Sequence, residues 1–380
     1  TTIFALMNVA PIIWTLIFYI FCSVVAIQLF YYLYFFIRLA FYKETIPSEH
    51  MEHAVSVVIC ARDEAHNLVQ TLPAVLVQDY KSTFEVVLVN DNSTDDTKYL
   101  IDEFKKAFKN INHVLLTQEA KMIAGKKFPL SMGIKSSKYE IVLLTDADCV
   151  PASEHWIKKM QAAYTDNIEI VLGYGAYRKK PGFLNKLIRF ETFHTALQYL
   201  TYALSGNPYM GVGRNLSYKK QVFLRNKGFS SINQVPSGDD DLFINQVATA
   251  RNTAICIDPD THTLSEPKNT WNEWMAQKYR HYTTSRYYKP SHKMLLGLYS
   301  SSQFLLYPLL VVSIIFYSWW ISLAVFGVRF LIQAFVFYKG MKKLNELDLW
   351  PLFIVFDIFM FFYYLFTLPA IWKAPRKNWD

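Results

Sequence analysis

Hydrophobic residues are concentrated at the two ends of the chain, and polar residues fill its middle. Three long apolar segments each contain a single charged side chain: residues 1–40 with Arg38, residues 300–338 with Arg329, and residues 350–372 with Asp357. A helix that crosses a bilayer needs about 20 mainly apolar residues. The second segment is long enough for two such helices, with a turn near residues 318–320. The pattern therefore predicts four membrane-spanning helices.

These segments divide the chain into three regions. We expect residues 1–43 to form an N-terminal transmembrane helix, residues 44–295 a polar domain with interfacial helices, and residues 296–380 a membrane region of about three helices. Buried helices of a soluble protein are excluded by the length of the segments and their lack of an amphipathic face. A cleavable signal peptide is excluded for the first segment, which has no basic start and too long an apolar run.

Positive charges near the segment ends predict the orientation. Arg38 and Lys43 follow the first segment, and three lysines lie between residues 339 and 343. Short loops rich in Lys and Arg stay in the cytoplasm. We therefore expect an integral protein of the bacterial inner membrane with its polar domain in the cytoplasm. The basic tail after residue 372 does not fit, because four spans would place it outside.

The polar middle alternates short apolar runs with polar helical stretches. Strands are predicted at residues 54–60, 84–89, 113–116 and 139–144, with helices after the first three. This alternation is typical of an α/β domain in which helices cover both faces of a parallel sheet. Ligands of such sheets bind in the crevice beyond the carboxyl ends of the strands.

Acidic residues follow three of these strands. Glu64 comes after the first, Asp91 after the second, and Asp146 and Asp148 after the fourth. No GxGxxG motif follows the first strand, so a dinucleotide cradle is not predicted. Carboxylates instead favour Mg²⁺ or Mn²⁺, which share oxygen ligands with substrate phosphates. An isolated DxD recurs by chance in loops, but its position at a buried strand end favours a metal–diphosphate site.

The net charge and the cysteine content limit which binding partners and which cysteine sites are expected. The formal net charge is +8, which in a membrane protein favours contact with anionic lipid headgroups over nucleic acid. The four cysteines form no CxxC pair, so neither a zinc site nor a disulfide framework is predicted.

Five motifs occur in order over about residues 54–290: VVICARDEAHNL, VLVNDNSTDDT, LLTDADCVP, GDDDLF and QKYRH. Together they resemble the family-2 membrane glycosyltransferases, whose catalytic domain has the GT-A fold. This Rossmann-like nucleotide-sugar-binding domain is flanked by transmembrane helices. Similar proteins include cellulose, hyaluronan and poly-N-acetylglucosamine synthases and their non-processive relatives.

The resemblance implies site residues in each motif. The nucleotide would contact Ala61, Arg62, Glu64, Asp91 and Lys126 or Lys127. A Mg²⁺ or Mn²⁺ ion would bind Asp146 and Asp148, with Asp148 as the direct ligand, and Gln277 and Arg280 would contact the diphosphate or the acceptor. Asp240, with Asp239 beside it, would supply the catalytic base, and Gly211, Gly213 and His281 would line the acceptor cleft.

The three consecutive carboxylates at 239–241 suit this chemistry. An inverting transfer needs a base that takes a proton from the attacking hydroxyl, and like charges raise the pKa of a neighbouring carboxyl. Asp is also favoured at helix N-termini. We expect Asp240 to act in the chemistry and one of its neighbours to cap the helix that begins near Leu242.

Two positions depart from the family pattern. Asn90 stands where relatives have a first Asp, and His281 stands where processive synthases have Trp. We therefore expect a metal-dependent inverting enzyme that moves a sugar, from a UDP-sugar in particular, to a lipid-linked or membrane-associated glycan acceptor. The alternatives are a processive polysaccharide synthase and a non-catalytic nucleotide-sugar-binding scaffold or transporter.

Two further expectations concern the membrane. Residues 184–204 are aromatic-rich with helical spacing, which predicts a helix that lies at the interface or packs against the sheet. Arg329 and Asp357 fall at matched depths in the third and fourth spans. Because ionisable groups at that depth are costly when unpaired, we expect them to pair.

Overall fold

The computed structural model describes residues 2–44, 52–117, 125–165 and 167–367, with side chains from Ile12 onward. The predictions for the basic tail and for the fourth span beyond residue 367 lie outside these residues. The strands are β1 (Val55–Ala61), β2 (Phe84–Asp91), β3 (Ile111–Leu116), β4 (Ile141–Leu144), β5 (Cys149–Pro151), β6 (Ile170–Leu172), β7 (Gly175–Tyr177), β8 (Leu216–Lys219), β9 (Thr253–Ile255) and β10 (Thr263–Ser265).

The α-helices are α1 (Thr2–Phe30), α2 (Ile37–Phe41), α3 (Ala65–Leu76), α4 (Thr97–Ala107), α5 (Lys127–Ser136), α6 (Trp156–Ala162), α7 (Phe183–Leu204), α8 (Lys220–Arg225), α9 (Asp241–Val247), α10 (Trp271–Tyr282), α11 (Pro290–Phe316), α12 (Trp319–Lys343) and α13 (Phe353–Thr367). A π-helical turn, Tyr31–Phe36, joins α1 to α2.

The main sheet has the strand order β3-β2-β1-β4-β8-β6-β9. The four predicted strands, β1 to β4, form its parallel half, with Val57 of β1 facing Val86 on one side and Leu143 on the other. The prediction of an α/β sheet is confirmed. The other half was not predicted: β8 runs antiparallel to both β4 and β6. A separate sheet of order β5-β10-β7 lies after the DxD segment.

Alternation along β1 assigns its side chains to the two faces of the sheet. Val57 and Ile59 pack with α3, α4 and α6, whereas Val58 and Cys60 belong to the core that continues into the membrane helices. Helix α5 lies close against this second face. A Cβ at Gly133 would come within 2.6 Å of Val58 Cγ1, so glycine is required for the close approach.

Within the described part of the chain, four helices are long and apolar enough to cross a membrane: Ile12–Phe41, Pro290–Phe316, Trp319–Lys343 and Leu347–Thr367. They match the four predicted spans. The turn predicted near residues 318–320 begins at Tyr317, where α11 has ended, and Ser318 precedes α12.

The predicted pairing of Arg329 with Asp357 is confirmed. Arg329 Nη1 donates to Asp357 Oδ2 at 2.9 Å, and both side chains are buried. Glutamines complete the cluster: Arg329 Nη2 donates to Gln28 Oε1 of the first span at 3.2 Å and to Gln303 Oε1 of the second at 3.1 Å, and Gln333 Nε2, on the same helix as Arg329, donates to Asp357 Oδ1 at 2.8 Å. Each of the four spans therefore contributes a polar side chain to one buried network.

Helix α7 lies between the sheet and the spans. On its sheet side, Tyr199 donates to the carbonyl of Gly173 at 2.8 Å. On the other side, the ring of Tyr202 lies 4.7 Å from that of Phe35, and Phe193 lies 5.5 Å from Phe337. Of the two predicted arrangements, packing against the sheet is therefore present, and the opposite face meets the spans.

Candidate active site

The carboxyl ends of β1, β2 and β4 meet at one edge of the sheet. Ala61 ends β1 in register with Asn90 of β2. The buried thiol of Cys60 lies within electrostatic range of charged groups from separate segments: Lys126, Asp146, Asp239 and Asp91. Burial raises the pKa of the Cys60 thiol to about 12; the Lys126 charge opposes this shift and the three carboxylates add to it. It is therefore a neutral packing group around which the candidate site is gathered.

Two loops beyond β1 and β2 are tied together by carboxylates. Asp63 Oδ1 accepts a hydrogen bond from the Thr94 N–H at 2.7 Å, and Asp95 Oδ2 accepts one from the Ala65 N–H at 3.1 Å. Asp63 has a φ of 55°, in the left-handed region that Asp tolerates better than most residues. These carboxylates stabilise the loop that presents Arg62, an exposed side chain, and Glu64.

Asp146 and Asp148 form an acidic cluster directly after β4. Their carboxylate oxygens and the sulfur of Cys149 lie within 4.8 Å of one another. Burial, and then the Asp146 carboxylate, raises the pKa of Asp148. Glu64 lies close enough for both carboxylates to raise its pKa further after burial has done so. The predicted residues of the first and third motifs are therefore neighbours.

The cluster fits a hard divalent cation. The two carboxylates offer the oxygen ligands that Mg²⁺ and Mn²⁺ prefer. Cys149 does not fit the set, because burial raises the pKa of its thiol well above the ordinary value and Ser265 Oγ lies 3.0 Å from the sulfur. Asp146 and Asp148 are therefore the residues that could hold such an ion.

The two adjacent lysines occupy different places. Lys126 pairs with Asp146, and although burial opposes the effect, the lysine charge lowers the pKa of that carboxyl. Lys127 is completely buried and donates to the carbonyl oxygens of Val235 and of Ser237, the latter at 2.8 Å. Of the two predicted phosphate contacts, only Lys126 reaches the acidic cluster, because Lys127 is held inside the protein.

Asp240 is held by two backbone N–H groups. Its Oδ2 accepts from Gly213 at 2.8 Å and its Oδ1 from Asp241 at 2.7 Å. Burial, and then the Asp239 and Asp241 carboxylates, raises the pKa of Asp240 to about 8, against these hydrogen bonds. A carboxyl with such a pKa is a stronger base than an ordinary aspartate.

The predicted division between base and helix cap holds only in part: Asp241 Oδ1 does accept from the Leu242 N–H of α9, at 2.7 Å, but it is not the only cap. Asp240 itself is the residue before α9, and its side chain accepts from the first N–H of that helix. Asp241 Oδ2 accepts from the hydroxyls of Thr284 at 2.5 Å and Tyr288 at 2.7 Å. The candidate base is therefore also a cap, and Asp241 joins α9 to the segment after α10.

The two glycines of the predicted acceptor cleft differ in position. Gly213 lies at the site, where its N–H holds Asp240. Gly211 is buried, and a Cβ there would come within 2.9 Å of Leu216 Cδ1 and 3.2 Å of Leu172 Cδ2. The close approach that requires glycine at 211 is to the hydrophobic core, which corrects the prediction of an approach to the sugar.

Arg214 was missed by the sequence analysis. Its guanidinium lies over the ring of Tyr177, 4.9 Å from the centroid, and Nη2 donates to the Gly175 carbonyl at 2.6 Å. Its charge acts on both Asp146 and Asp148. A Cβ at Gly175 would lie 2.3 Å from Arg214 Nε, so this glycine makes room for the arginine. The adjacent Gly213 was the only sequence signal.

Helix α10 carries Gln277, Arg280 and His281. The His281 side chain is exposed, and the charges of Lys278, Arg280 and Arg214 act on its ring. Lys278 is buried and pairs with Glu191 of α7. The Arg280 side chain is exposed, and Gln277 Oε1 is buried. His281 thus shares the neighbourhood of Arg214, which connects α10 to the acidic cluster.

Comparisons with known proteins match this chain to glycosyltransferases. Residues 56–225 match Glycosyl transferase family 2, and residues 141–336 match Glycosyl transferase family group 2. The chain is 34% identical over 120 residues to a poly-beta-1,6-N-acetyl-D-glucosamine synthase of Staphylococcus epidermidis, a match that covers 31% of this chain and 28% of the relative. It is 32% identical over 106 residues to glycosyltransferase AglE of Haloferax volcanii, covering 28% of this chain and 33% of that protein.

A solved structure shares the fold. The mannosyltransferase PcManGT from Pyrobaculum calidifontis, in complex with GDP-Man and Mn²⁺, aligns with a TM-score of 0.58 over 92% of this chain and 99% of that chain, at 14% identity. At this identity the likeness concerns the fold alone. The two relatives in the preceding comparison are matched over a third of their length or less.

Proposed function

Because this chain belongs to glycosyl transferase family group 2, we propose that it is an inverting, metal-dependent glycosyltransferase acting on a nucleotide-sugar donor and a membrane-associated acceptor. The observation that supports this most directly is that a basic carboxyl, Asp240, and an acidic cluster, Asp146 and Asp148, both lie in segments near Lys126. Lys126 pairs with Asp146 of the acidic cluster. It also lies in electrostatic range of Asp239, the residue before Asp240.

Asp240 takes the proton from the acceptor hydroxyl in this proposal. In direct displacement, the hydroxyl oxygen forms a bond to the anomeric carbon while the bond to the diphosphate oxygen breaks. The proton passes to the carboxylate, and the bonding electrons leave with the nucleoside diphosphate. Attack opposite the leaving group inverts the anomeric centre. The N–H groups of Gly213 and Asp241 hold both carboxylate oxygens, which keeps the base oriented.

The departing diphosphate needs positive charge. Asp146 and Asp148 would hold Mg²⁺ or Mn²⁺, which when bound neutralises phosphate charge and bridges it to the protein. Arg214 adds a fixed guanidinium, aligned by the Tyr177 ring and the Gly175 carbonyl. Preorganised charge of this kind stabilises the transition state because it needs no rearrangement during reaction.

The donor and acceptor are proposed on coarser grounds. Asp91 at the end of β2 suits a uracil N–H, which favours a UDP-sugar. The name of the matched staphylococcal relative makes N-acetylglucosamine the first sugar to try. Four candidate spans around the domain, with basic residues near their ends, favour transfer at the cytoplasmic face to a lipid-linked or membrane-bound glycan.

A processive synthase is the second candidate function, favoured by the same relative's name. The reaction at the anomeric carbon would be identical, and the two functions differ in product length. His281 in place of a stacking tryptophan favours single or short additions.

Release of nucleoside diphosphate by the purified protein in lipid vesicles tests the proposal. A panel containing UDP-N-acetylglucosamine, UDP-glucose and GDP-mannose is supplied with native membrane lipids, with Mn²⁺, Mg²⁺ or chelator. We expect turnover of one donor that requires metal and is lost in Asp148→Asn. Arg225→Gln, which alters an exposed pair with Glu169, is the control. Tight donor binding without turnover in any lipid extract would instead support a binding scaffold.

A further inference from the structure

Lys127 is a buried cation whose hydrogen bonds to the described residues go to carbonyl oxygens and not to a carboxylate. Its side chain is 0% exposed, and its ammonium donates to the carbonyl oxygens of Val235 and Ser237. A buried ammonium is costly unless it is paired or hydrogen-bonded. Its retention at the first position of α5 therefore requires an explanation.

The two carbonyls belong to the loop that carries the candidate base. Ser237 is followed by Gly238, which has a φ of 100°, and then by Asp239 and Asp240. Glycine allows this backbone conformation without strain but fixes nothing by itself. The hydrogen bonds from Lys127 hold the loop at residues 235 and 237, and the N–H groups of Gly213 and Asp241 hold the carboxylate.

The ammonium also faces the acidic triplet. The Asp239, Asp241 and Asp240 carboxylates all act on Lys127, although burial is the larger influence and lowers its pKa. Among the described residues, the titratable groups that interact with Asp240 include Asp239 and Asp241, Lys127 from α5, and the hydroxyl of Tyr288. Lys127 is the cation among these four.

We infer that Lys127 is a positioning residue for the base: it fixes the 235–238 loop through two carbonyls and offsets the negative charge of the triplet, so that Asp240 can ionise beside two other carboxylates. The inference rests on the proposed function. It gives the neighbouring lysines separate tasks, since Lys126 serves the metal and diphosphate side through Asp146 and Lys127 serves the base side.

The test compares Lys127→Met with Lys127→Arg and with the wild type. Lys127→Met keeps most of the side-chain volume and removes the charge and the donors. We expect kcat to fall between about 10- and 100-fold, the effect of displacing a catalytic group by about 1 Å, with the donor KM within twofold. The acid limb of the pH profile, where kcat/KM rises with pH, should move to higher pH by about half a unit or more. This shift is smaller than the one expected when a directly paired charge is removed. Lys127→Arg should keep most of the wild-type kcat and a nearly wild-type acid limb.

Two further variants guard the interpretation. Lys135→Met removes an exposed lysine of the same helix and should leave the rate and the pH profile unchanged. Lys127→Gln keeps an N–H donor and removes only the charge. If Lys127→Met does not fold, the pH profiles of Lys127→Gln and Lys127→Arg are compared instead. We expect the acid limb of the glutamine variant to lie at higher pH than that of the arginine variant.

The outcomes separate this inference from the proposed function. A wild-type protein that turns over no donor contradicts both. Turnover by the wild type, with Lys127→Met or Lys127→Gln keeping the wild-type acid limb and losing only thermal stability, contradicts the positioning role alone. A loss of donor binding in these variants would also contradict it, because it would place Lys127 on the nucleotide side.

Discussion

At the scale of single residues, the environment of Asp240 determines what the site can do. Two backbone N–H groups orient its carboxylate, while burial and two neighbouring carboxylates make it reluctant to ionise. These influences oppose each other, and the raised pKa of Asp240, about 8, shows which prevails. The two N–H groups orient the ionised carboxylate, and its raised pKa gives it a high affinity for the proton that it accepts.

The first prediction is an acid limb in the pH profile. Asp240 accepts a proton only when it is ionised, so kcat/KM should rise with pH and level off above a pKa of about 8. The measurement is the initial rate of nucleoside diphosphate release between pH 5.5 and 9.5. A rate that stays level down to pH 5.5 would mean that no group with this pKa acts as the base.

The sequence marked Asp240 as the candidate base but did not predict the groups that hold it. Asp240 could be chosen because three consecutive carboxylates and a family motif mark the position. Arg214 was missed and Lys127 was expected at the nucleotide, because the groups that they contact, Gly175 and the carbonyls of residues 235 and 237, are distant in sequence. The part of Asp240 in the cap was not predicted, because helix boundaries are uncertain by one or two residues.

At the scale of elements, the site is built where strand ends and the loops after them converge. β1, β2 and β4 bring Ala61, Asp91 and Asp146 to one edge, and the register of β1 with its neighbours fixes their relative heights. The small sheet adds Arg214 through its contacts with β7. A change in β7 should therefore affect the donor side of the site without touching Asp240.

The second prediction uses Gly175 of β7. In Gly175→Ala the new Cβ would lie 2.3 Å from Arg214 Nε and 2.7 Å from its Cγ, so the arginine must leave its position over Tyr177. We expect the donor KM to rise about tenfold, since a hydrogen bond or ion pair with a charged group contributes roughly 1.5–3 kcal/mol. The acid limb should remain in place.

The control is Gly297→Ala, where a Cβ would have no neighbouring atom within 4 Å. It should behave as the wild type in the same titration of donor concentration. An unchanged donor KM in Gly175→Ala would show that Arg214 does not act on the donor.

The elements that could be predicted are the long ones. The four parallel strands carry continuous apolar runs bounded by polar motifs, and the spans are marked by their length. Strands β5, β6, β7, β9 and β10 have three residues each, too few for a periodic pattern to appear. The strands in the antiparallel half of the main sheet and in the small sheet form through pairing with strands that are distant in sequence.

At the scale of the whole molecule, polar contacts join the catalytic domain to the candidate spans. Arg189 of α7 donates through Nε to Glu346, after α12, at 2.9 Å, and both side chains are 2% exposed. Within the spans, the Arg329–Asp357 network joins all four helices. Residues far apart in sequence are thus fixed relative to one another, which holds the domain in one orientation over the spans.

The third prediction concerns this network. Removing one partner of a buried ion pair costs about 3–5 kcal/mol, because the other charge is left uncompensated. Arg329→Met and Asp357→Leu should each lower the thermal midpoint in detergent strongly. The double variant should lose less than the sum of the two.

Arg38→Met is the matched control, because Arg38 lies beside Tyr34 near the end of the first span and has no carboxylate partner among the described ion pairs. It should shift the midpoint little. Additive losses in the double variant would show that Arg329 and Asp357 stabilise the protein independently.

The most direct test of the central claim compares donor binding and sugar transfer in wild type and Asp240→Asn, in the same lipid vesicles with Mn²⁺. Asparagine keeps the size of the side chain but cannot accept the proton. The account predicts donor binding within about twofold of the wild type and a rate of nucleoside diphosphate release lower by about 10²–10⁴-fold, the usual contribution of a general base. Release at the wild-type rate by Asp240→Asn would contradict it.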